Sequence, residues 1–278
     1  MNFRKILKVE DTMPNYTKTL ALQFHQTASA HLTSMLLNFS QIRLMQFSLI
    51  VLLTIFITLI APNLRAEDKL IIAGIQGSSQ SSYSYVGLIQ PLEKSELGKG
   101  WYRKFLFSHL TYRYLQTNPN TGTTIHATAP GLEGGFGHVW SGSRWSVDLS
   151  ATVGYRNISL SPISPASDDK GSIFTLNPQI QARYQFSEKL DADLLANHSL
   201  GQGSTYARER LGWRLTSGTR IGPELIQVNG KTYHNTQMGL FASMPLANNW
   251  TLELNAGRSH SQTLGDATYG GIGIAKVF

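Results

Sequence analysis

The sequence predicts an all-β protein: a transmembrane, up-and-down antiparallel β-barrel of about twelve strands, preceded by a cleaved N-terminal signal peptide. Within residues 67–278, apolar and polar side chains alternate strictly in repeated runs, and aromatic residues close the apolar faces of these runs. Strands that cross an outer membrane alternate in this way over about 9–11 residues, with aromatic girdles at both interfaces. Only 15% of the 278 residues are charged, against roughly a quarter in soluble domains.

The composition argues against several other classes of protein. The chain contains no cysteine, so the sequence predicts neither a disulfide framework nor a thiolate metal site. More than half of its net charge of +7 lies in residues 1–66, which hold six basic and two acidic residues. The remainder holds eighteen basic and fifteen acidic residues, a balance that does not favour nucleic-acid binding.

Residues 1–66 are predicted to be a leader that contains the signal peptide. The apolar run 47–61 has the length of a signal-peptide core, and Arg43 supplies the positive charge that precedes such a core. Ala66 is the small residue after which cleavage is expected. The alternative is a single N-terminal membrane anchor, for which the run is short, because a spanning helix needs about 20 apolar residues.

Translation is expected to start at Met35 or Met45, because the segment before Arg43 lacks strong periodicity. Cleavage near Ala66 would then leave 67–278 as one barrel domain. Such a chain would pass through the inner membrane by means of its signal peptide and reside in the outer membrane of a Gram-negative cell.

The clearest strand pattern lies at 144–156. Trp145 and Tyr155 bracket an apolar face, while the alternate residues are polar, charged or glycine. Similar alternation recurs at 173–186, 235–246 and 250–257. A soluble β-sandwich or a small soluble barrel would also alternate. These runs, however, are longer than the usual strand of about 5–6 residues, and their aromatic residues cluster at the strand ends.

Turn residues divide the barrel domain into twelve predicted strands. They are 69–78, 82–91, 101–116, 123–140, 144–158, 172–186, 189–200, 204–216, 220–229, 232–246, 249–260 and 267–278. An even count places both chain termini on the periplasmic side. The short connections SGSR, SEK, SGTR and ANN then lie in the periplasm, and the longer connections QTNPNTG, SPISPASDDKG and TLGDA lie outside. If 69–91 were one bent strand, the count would be eleven and this scheme would fail.

The C-terminal third carries a family resemblance. The stretch YARERLGWRL, then IGPELIQVNGKTYHNTQMGLFASM, and finally the ending GDATYGGIGIAKVF follow one another in that order. Upstream lie YSYVGLIQPL and GWYRKFLF. Over residues 82–278 the chain resembles the cellulose biosynthesis protein BcsS family of Gram-negative bacteria. The resemblance implies an outer-membrane barrel that serves cellulose production or secretion, with the cellulose chain and periplasmic secretion components as partners, and it implies no catalytic residue.

Charged residues occupy faces that point into the predicted barrel. If Leu211 and Trp213 face lipid, the alternate residues Arg208, Arg210 and Arg214 form an arginine ladder on the inner wall. The other charged residues with inward parity are Glu133, Asp148, Arg156, Asp191, Asp193, Glu224 and Glu253. These groups are candidate contacts for the hydroxyls of a saccharide. The alternative is an ion-pair network that holds a narrow barrel closed, which is favoured because side chains usually fill small barrels.

Two histidines raise the alternative of a lipid-modifying enzyme. His198 precedes Ser199, and His260 lies between Ser259 and Ser261. Adjacent residues on a strand point to opposite faces, so neither histidine can reach its neighbouring serine. The sequence therefore predicts a non-enzymatic protein without a cofactor or a metal site. A general small-solute channel remains the stronger alternative to a role in cellulose output.

The chain ends on a strand whose last residue is Phe278. The closing strand of a barrel must pair with the first strand, and a terminal aromatic residue suits the interfacial girdle. Phe278 also resembles the signal that the barrel-assembly machinery reads. Counting back in twos places Lys276 on the lipid side, close to the interface, where a lysine costs little and can extend towards water.

Overall fold

The structure is a computed structural model that describes residues 69–118, 121–162, 170–231 and 233–278. The predicted leader lies outside the described residues, together with its possible starts at Met35 and Met45 and the cleavage site at Ala66. The boundary between leader and barrel therefore stays a prediction. No helix among the described residues is long and apolar enough to span a membrane.

Twelve antiparallel strands close into one barrel, as the alternation predicted. They are β1 (Leu70–Ser78), β2 (Ser81–Pro91), β3 (Gly100–Asn118), β4 (Thr121–Ser141), β5 (Trp145–Ser161), β6 (Gly171–Gln185), β7 (Leu190–Ser199), β8 (Ser204–Arg214), β9 (Arg220–Asn229), β10 (His234–Pro245), β11 (Trp250–Ser261) and β12 (Gly265–Val277). Each strand pairs with its neighbours in the chain, and β1 pairs with β12 to close the sheet. Because β1 and β2 form a regular hairpin, the reading of 69–91 as one bent strand is wrong.

Two of the connections expected to be long are short. β3 and β4 stay paired as far as Asn118 and Thr121, so most of QTNPNTG continues the hairpin. β11 and β12 pair as far as Ser261 and Gly265, which reduces TLGDA to a tight turn. Strand pairing persists here because the polar residues of these stretches can form strands in water beyond the membrane. The connection between β2 and β3 lies at the end with the termini, and a bridge between Glu96 and Lys99 closes it.

The apolar faces of the strands point outwards. On β5 and β6 the exposed large residues are Trp145, Leu149, Val153, Tyr155, Phe174, Leu176, Ile180 and Tyr184. Their neighbours in sequence point into the barrel, where the exposed fractions of Thr152 and Asn177 are only 2% and 4%. This arrangement inverts that of a soluble barrel, whose apolar face would pack inwards, and it matches a wall that faces lipid.

Many of the side chains that point into the barrel are buried. Buried inward-facing residues include Asp191, Arg210, Glu224, Phe241, Ser259 and Tyr269. At the end away from the termini, Ala127, Ala129 and Ile158 form a small apolar cluster with Leu110 and Ile173 packed against it. Water therefore has little access to much of the inner wall, as expected for a narrow barrel.

Candidate functional site

All seven predicted lumen residues face the interior, but they fall into separate groups. Those residues are Arg208, Arg210, Arg214, Glu224, Glu133, Asp148 and Arg156. The three arginines and Glu224 belong to a network on β7–β9 that also includes Glu253 of β11. Glu133 and Arg156 form a second group on β4 and β5. Asp148 belongs to neither group and accepts a hydrogen bond from Tyr102.

Arg210 and Glu224 form the centre of the larger network. The Nε atom of Arg210 donates to Oε2 of Glu224 at 2.5 Å, and its Nη1 atom lies 3.3 Å from Oε2 of Glu253. The other oxygen of Glu224, Oε1, accepts hydrogen bonds from Asn255 at 2.9 Å and from Tyr269 at 3.2 Å. With an exposed fraction of only 3%, Glu224 is a buried carboxylate whose two oxygens are both hydrogen-bonded, as a buried charge requires.

An aromatic ring joins two of the guanidinium groups. Phe241 is buried on the inner wall, and the guanidinium carbons of Arg210 and Arg220 lie 4.6 and 4.8 Å from its ring centroid. Both distances fall within the range of cation–π attraction, which is strengthened where water is excluded. Phe241 therefore stabilises two positive charges that lie close together.

Two aspartates of β7 form ion pairs with the remaining arginines of the network. Arg220 places its Nη2 atom 2.5 Å from Oδ1 of Asp191 and 2.5 Å from Oδ2 of Asp193. Arg183 approaches Asp191 at 2.7 Å and Arg214 approaches it at 3.7 Å. Arg208 is farther from its partner, 3.9 Å from Asp193. The predicted arginine ladder is therefore held in place by carboxylates of the neighbouring strand.

Arg220 and Arg183 were not among the predicted inward charges. Arg220 belongs both to the connection SGTR and to the first position of the predicted strand 220–229, and its parity on β9, which matches that of Glu224, is the signal that identifies it. Gly212 explains how Arg220 reaches across β8: a Cβ atom at position 212 would collide with the guanidinium of Arg220. Arg183 could have been identified in the same way, because it shares the inward face of β6 with Asn177.

The second group holds Glu133 on the inner wall of β4. Thr152 donates to Oε2 of Glu133 at 3.0 Å, and Arg156 lies 3.8 Å from Oε1. Arg156 also donates to the hydroxyl of Ser108 at 3.2 Å. Asn177 donates to the hydroxyl of Thr152 at 3.4 Å, which extends the group to β6. These contacts fasten four adjacent strands together.

Asp148 lies apart from both groups, nearer the end of the barrel that carries the termini. Its Oδ1 atom accepts a hydrogen bond of 2.6 Å from the hydroxyl of Tyr102. On the same wall, Lys104 donates to Ser150 and to Gln179, at 3.2 Å in each case. The inner wall therefore offers amines, guanidiniums, hydroxyls and carboxylates, which are suited to hydrogen bonding. Among the residues with described positions, no group of histidine, aspartate and glutamate side chains could hold a metal ion.

Comparison with models of protein families shows which family the chain belongs to. The profile of the family described as "Cellulose biosynthesis protein BcsS" matches residues 70–278, which include all twelve strands. The chain belongs to the BcsS family. A search of curated proteins found no match.

Several solved structures of outer-membrane proteins resemble this member of the BcsS family. An outer-membrane channel from Pseudomonas putida F1 is 12% identical, with a TM-score of 0.52 over 78% of this chain and 97% of that chain. The KdgM porin in complex with disordered oligogalacturonate is 12% identical, with a TM-score of 0.49 over 75% of this chain and 99% of that chain. Outer membrane phospholipase A from Escherichia coli is 14% identical, with a TM-score of 0.39 over 78% of this chain and 93% of that chain. The first of these supports the barrel fold, and at this identity it supports nothing further.

The two histidines considered for enzyme chemistry in this BcsS-family chain bond to residues other than serine. The Nδ1 atom of His198 lies 2.8 Å from the hydroxyl of Thr205, and Nδ1 of His260 lies 2.6 Å from Oδ1 of Asp266. Ser259 points to the other face, where its hydroxyl donates to Asn235 at 3.1 Å. The arrangement predicted from strand parity, with histidine and adjacent serine on opposite faces, is therefore observed for His260.

The C-terminus adopts the outward orientation that was predicted for it. The backbone amide of Phe278 donates to the carbonyl of Lys69 at 3.0 Å. The Nζ atom of Lys276 lies 4.5 Å from the ring centroid of Phe278 and 5.1 Å from that of Trp250. Two aromatic faces thus accommodate the one lysine of the closing strand, while the role of Phe278 in assembly stays a prediction.

Glu209 is a charged residue on the lipid-facing wall that was not among the predicted site residues. Glu209 is exposed on β8, and its direct cross-strand partners are Leu194 of β7 and Leu225 of β9. It lies four positions before Trp213, the exposed tryptophan near the end of the strand on the side of the barrel that carries the termini. At about 3.3 Å per residue and a tilt of about 40°, this places the Glu209 carboxylate about 10 Å into a band about 25 Å tall.

Proposed function

We propose that the protein is a non-enzymatic outer-membrane barrel that assists the production or secretion of bacterial cellulose or a related exopolysaccharide. The match of the BcsS family over all twelve strands carries this proposal. The barrel wall, apolar outside and polar inside, supports residence in the outer membrane. The leader, in this proposal, is the signal peptide that takes the chain across the inner membrane.

The burial of inward side chains supports an accessory role rather than that of a wide conduit. Glu224 and Asp191 are almost completely buried, and each is contacted by arginines of adjacent strands. Such a network stabilises the barrel and presents guanidinium groups at the end that carries the termini. Its partners would be outer-membrane lipid on the outer wall, periplasmic cellulose-secretion components, the cellulose chain and, during biogenesis, the barrel-assembly machinery. No cofactor and no nucleic acid enters the proposal.

A small-solute channel is the second candidate, and the charged inner wall favours it. Inward arginine and carboxylate side chains resemble the rings of charge that select ions in pores. The burial of Arg210, Glu224 and Phe241 argues against a wide aqueous path beside these side chains. A lipid-modifying enzyme has less support, because His198 and His260 contact Thr205 and Asp266 rather than a serine.

Deletion of the gene tests the proposed function. The expected result is reduced secreted cellulose, while synthase activity in isolated inner membranes is retained. Restoring the gene should restore secretion, and the matched control is the same plasmid with the gene truncated before β12, which cannot close the barrel. Unchanged polymer output and surface display in the deletion strain would contradict the proposal.

A further inference from the structure

The end of the barrel that carries both termini holds a cluster of arginines around one carboxylate. Arg183 comes from the end of β6, Arg214 from the end of β8, and Arg220 from the start of β9. The Nη2 atoms of Arg183 and Arg214 approach the same oxygen, Oδ2 of Asp191, at 2.7 and 3.7 Å. Arg220 binds the other oxygen of Asp191. Because an even strand count places the termini in the periplasm, this cluster faces the periplasm.

Positive charge exceeds negative charge in this cluster. Arg183, Arg208, Arg214 and Arg220 contact only two carboxylates, those of Asp191 and Asp193. The acids farther inside, Glu224 and Glu253, are paired with Arg210. The turn between β6 and β7 carries Glu188 beside Lys189, whose charges offset each other.

The negative charges are buried and the surplus positive charges are accessible. Side-chain exposure is 2% for Asp191, but it is 42% for Arg183 and 43% for Arg214. Asp191 therefore orients the two guanidiniums without covering them. Each guanidinium has five N–H donors in a rigid fork, so donors remain for an oxyanion that approaches from the periplasm. Carboxylates are bound well by such oriented forks.

The geometry points to a docking site, formed by Arg183 and Arg214, for an acidic segment of a periplasmic protein. Beyond this site Phe241, Arg210 and Glu224 are buried on the inner wall, so a peptide segment that only enters the mouth fits better than a polymer that must pass through. Unsubstituted glucan chains are neutral and would gain little from the surplus charge. This inference goes beyond the proposed role in cellulose output and does not rest on it.

Calorimetric titration of the purified barrel with a defined acidic peptide tests the inference. The probes are hexaglutamate, hexaglutamine as the uncharged peptide, and trigalacturonate as an acidic saccharide. Hexaglutamate should bind and hexaglutamine should not, and high salt should weaken the binding. Arg183→Gln/Arg214→Gln should lose at least about tenfold in affinity, because each variant residue removes charge-assisted hydrogen bonds. In this variant Arg220 still pairs with Asp191, so the barrel should fold.

The matched control removes two exposed arginines at the other end of the barrel, Arg113 of β3 and Arg258 on the outer face of β11. Arg113→Gln/Arg258→Gln should bind hexaglutamate as the wild type does, and heat-modifiable gel mobility should show both double variants folded. If the cluster variant does not fold, Arg214→Gln alone takes its place. Absence of hexaglutamate binding, an equal loss in the control variant, or tighter binding of trigalacturonate would overturn the inference. None of these results bears on cellulose output, which the gene deletion tests separately.

Discussion

The guanidinium of Arg210 and the carboxylate of Glu224 form a hydrogen-bonded ion pair of 2.5 Å inside the barrel. Side-chain exposure is 4% for Arg210 and 0% for Glu224, so neither charge is solvated by bulk water. Removing one partner of such a pair leaves an uncompensated buried charge, which costs more than the intact pair contributes. The pair therefore makes the two strands that carry it, β8 and β9, depend on each other.

Replacement of Glu224 by leucine should lower the free energy of unfolding by about 3–5 kcal/mol, because it leaves the Arg210 charge with Glu253 as its only acidic partner in direct contact. Urea unfolding of the barrel in lipid vesicles measures this change. The double variant Arg210→Met/Glu224→Leu should be less destabilised than the sum of the two single variants. A double variant that loses as much as that sum would show that the two residues act independently.

Deletion of Phe278 should reduce the amount of assembled barrel without reducing synthesis of the chain. The residue closes the β1–β12 seam through its bond to Lys69, and its ring packs beside Lys276. Heat-modifiable mobility on gels separates folded from unfolded protein, and immunoblotting of whole cells measures synthesis. Phe278→Tyr keeps an aromatic ring and should assemble normally. Equal assembly of the truncated chain would refute the assigned role of the terminal residue.

Glu209 places a carboxylate on the lipid-facing wall, between Leu194 and Leu225. Charged groups on this face are destabilising in proportion to their depth, and the cost for an acid is below the roughly 2–4 kcal/mol found for a basic residue at the midplane. Glu209→Leu should therefore raise the free energy of unfolding by up to about 2 kcal/mol. Glu188→Leu, in an exposed turn, should leave it unchanged. Lower stability or poorer assembly of Glu209→Leu would indicate that the carboxylate has a partner in the membrane.

The architecture was predictable from sequence because lipid imposes one requirement on every strand. Alternation such as that between Trp145 and Tyr155 identifies both a strand and its outward face. Because the sheet closes into a barrel, every strand must also have a partner on each side. The inward orientation of Arg210 and Glu224 followed from parity alone. The lengths of the connections at the other end from the termini could not be predicted in this way, because the pairing of β3 with β4 continues beyond the apolar band.

The division of the inner charges into groups required the register between strands. Asp191 lies opposite Gly212, and the absence of a side chain there admits the guanidinium of Arg220 from β9. Parity within each strand does not predict such a contact, because the contact depends on which residues of neighbouring strands lie opposite each other. For the same reason, the bond of Asp148 to Tyr102 rather than to an arginine could not be predicted.

The burial of side chains on the inner wall predicts that the purified barrel does not behave as a general porin. In planar bilayers it should produce no steady single-channel current, because Phe241 and the residues bonded to Glu224 occupy the inner wall. An established porin reconstituted in parallel serves as the control for insertion. A steady current that changes in selectivity when Arg210 is replaced by glutamate would favour the channel alternative.

The central claim is that this barrel serves cellulose output without synthesising the polymer. The most direct measurement is the amount of cellulase-digestible glucan outside the cells of a deletion strain, divided by the synthase activity of inner membranes prepared from the same culture. The account predicts that this ratio falls on deletion and returns when the wild-type gene is restored. A ratio equal to that of the parent strain would contradict the account.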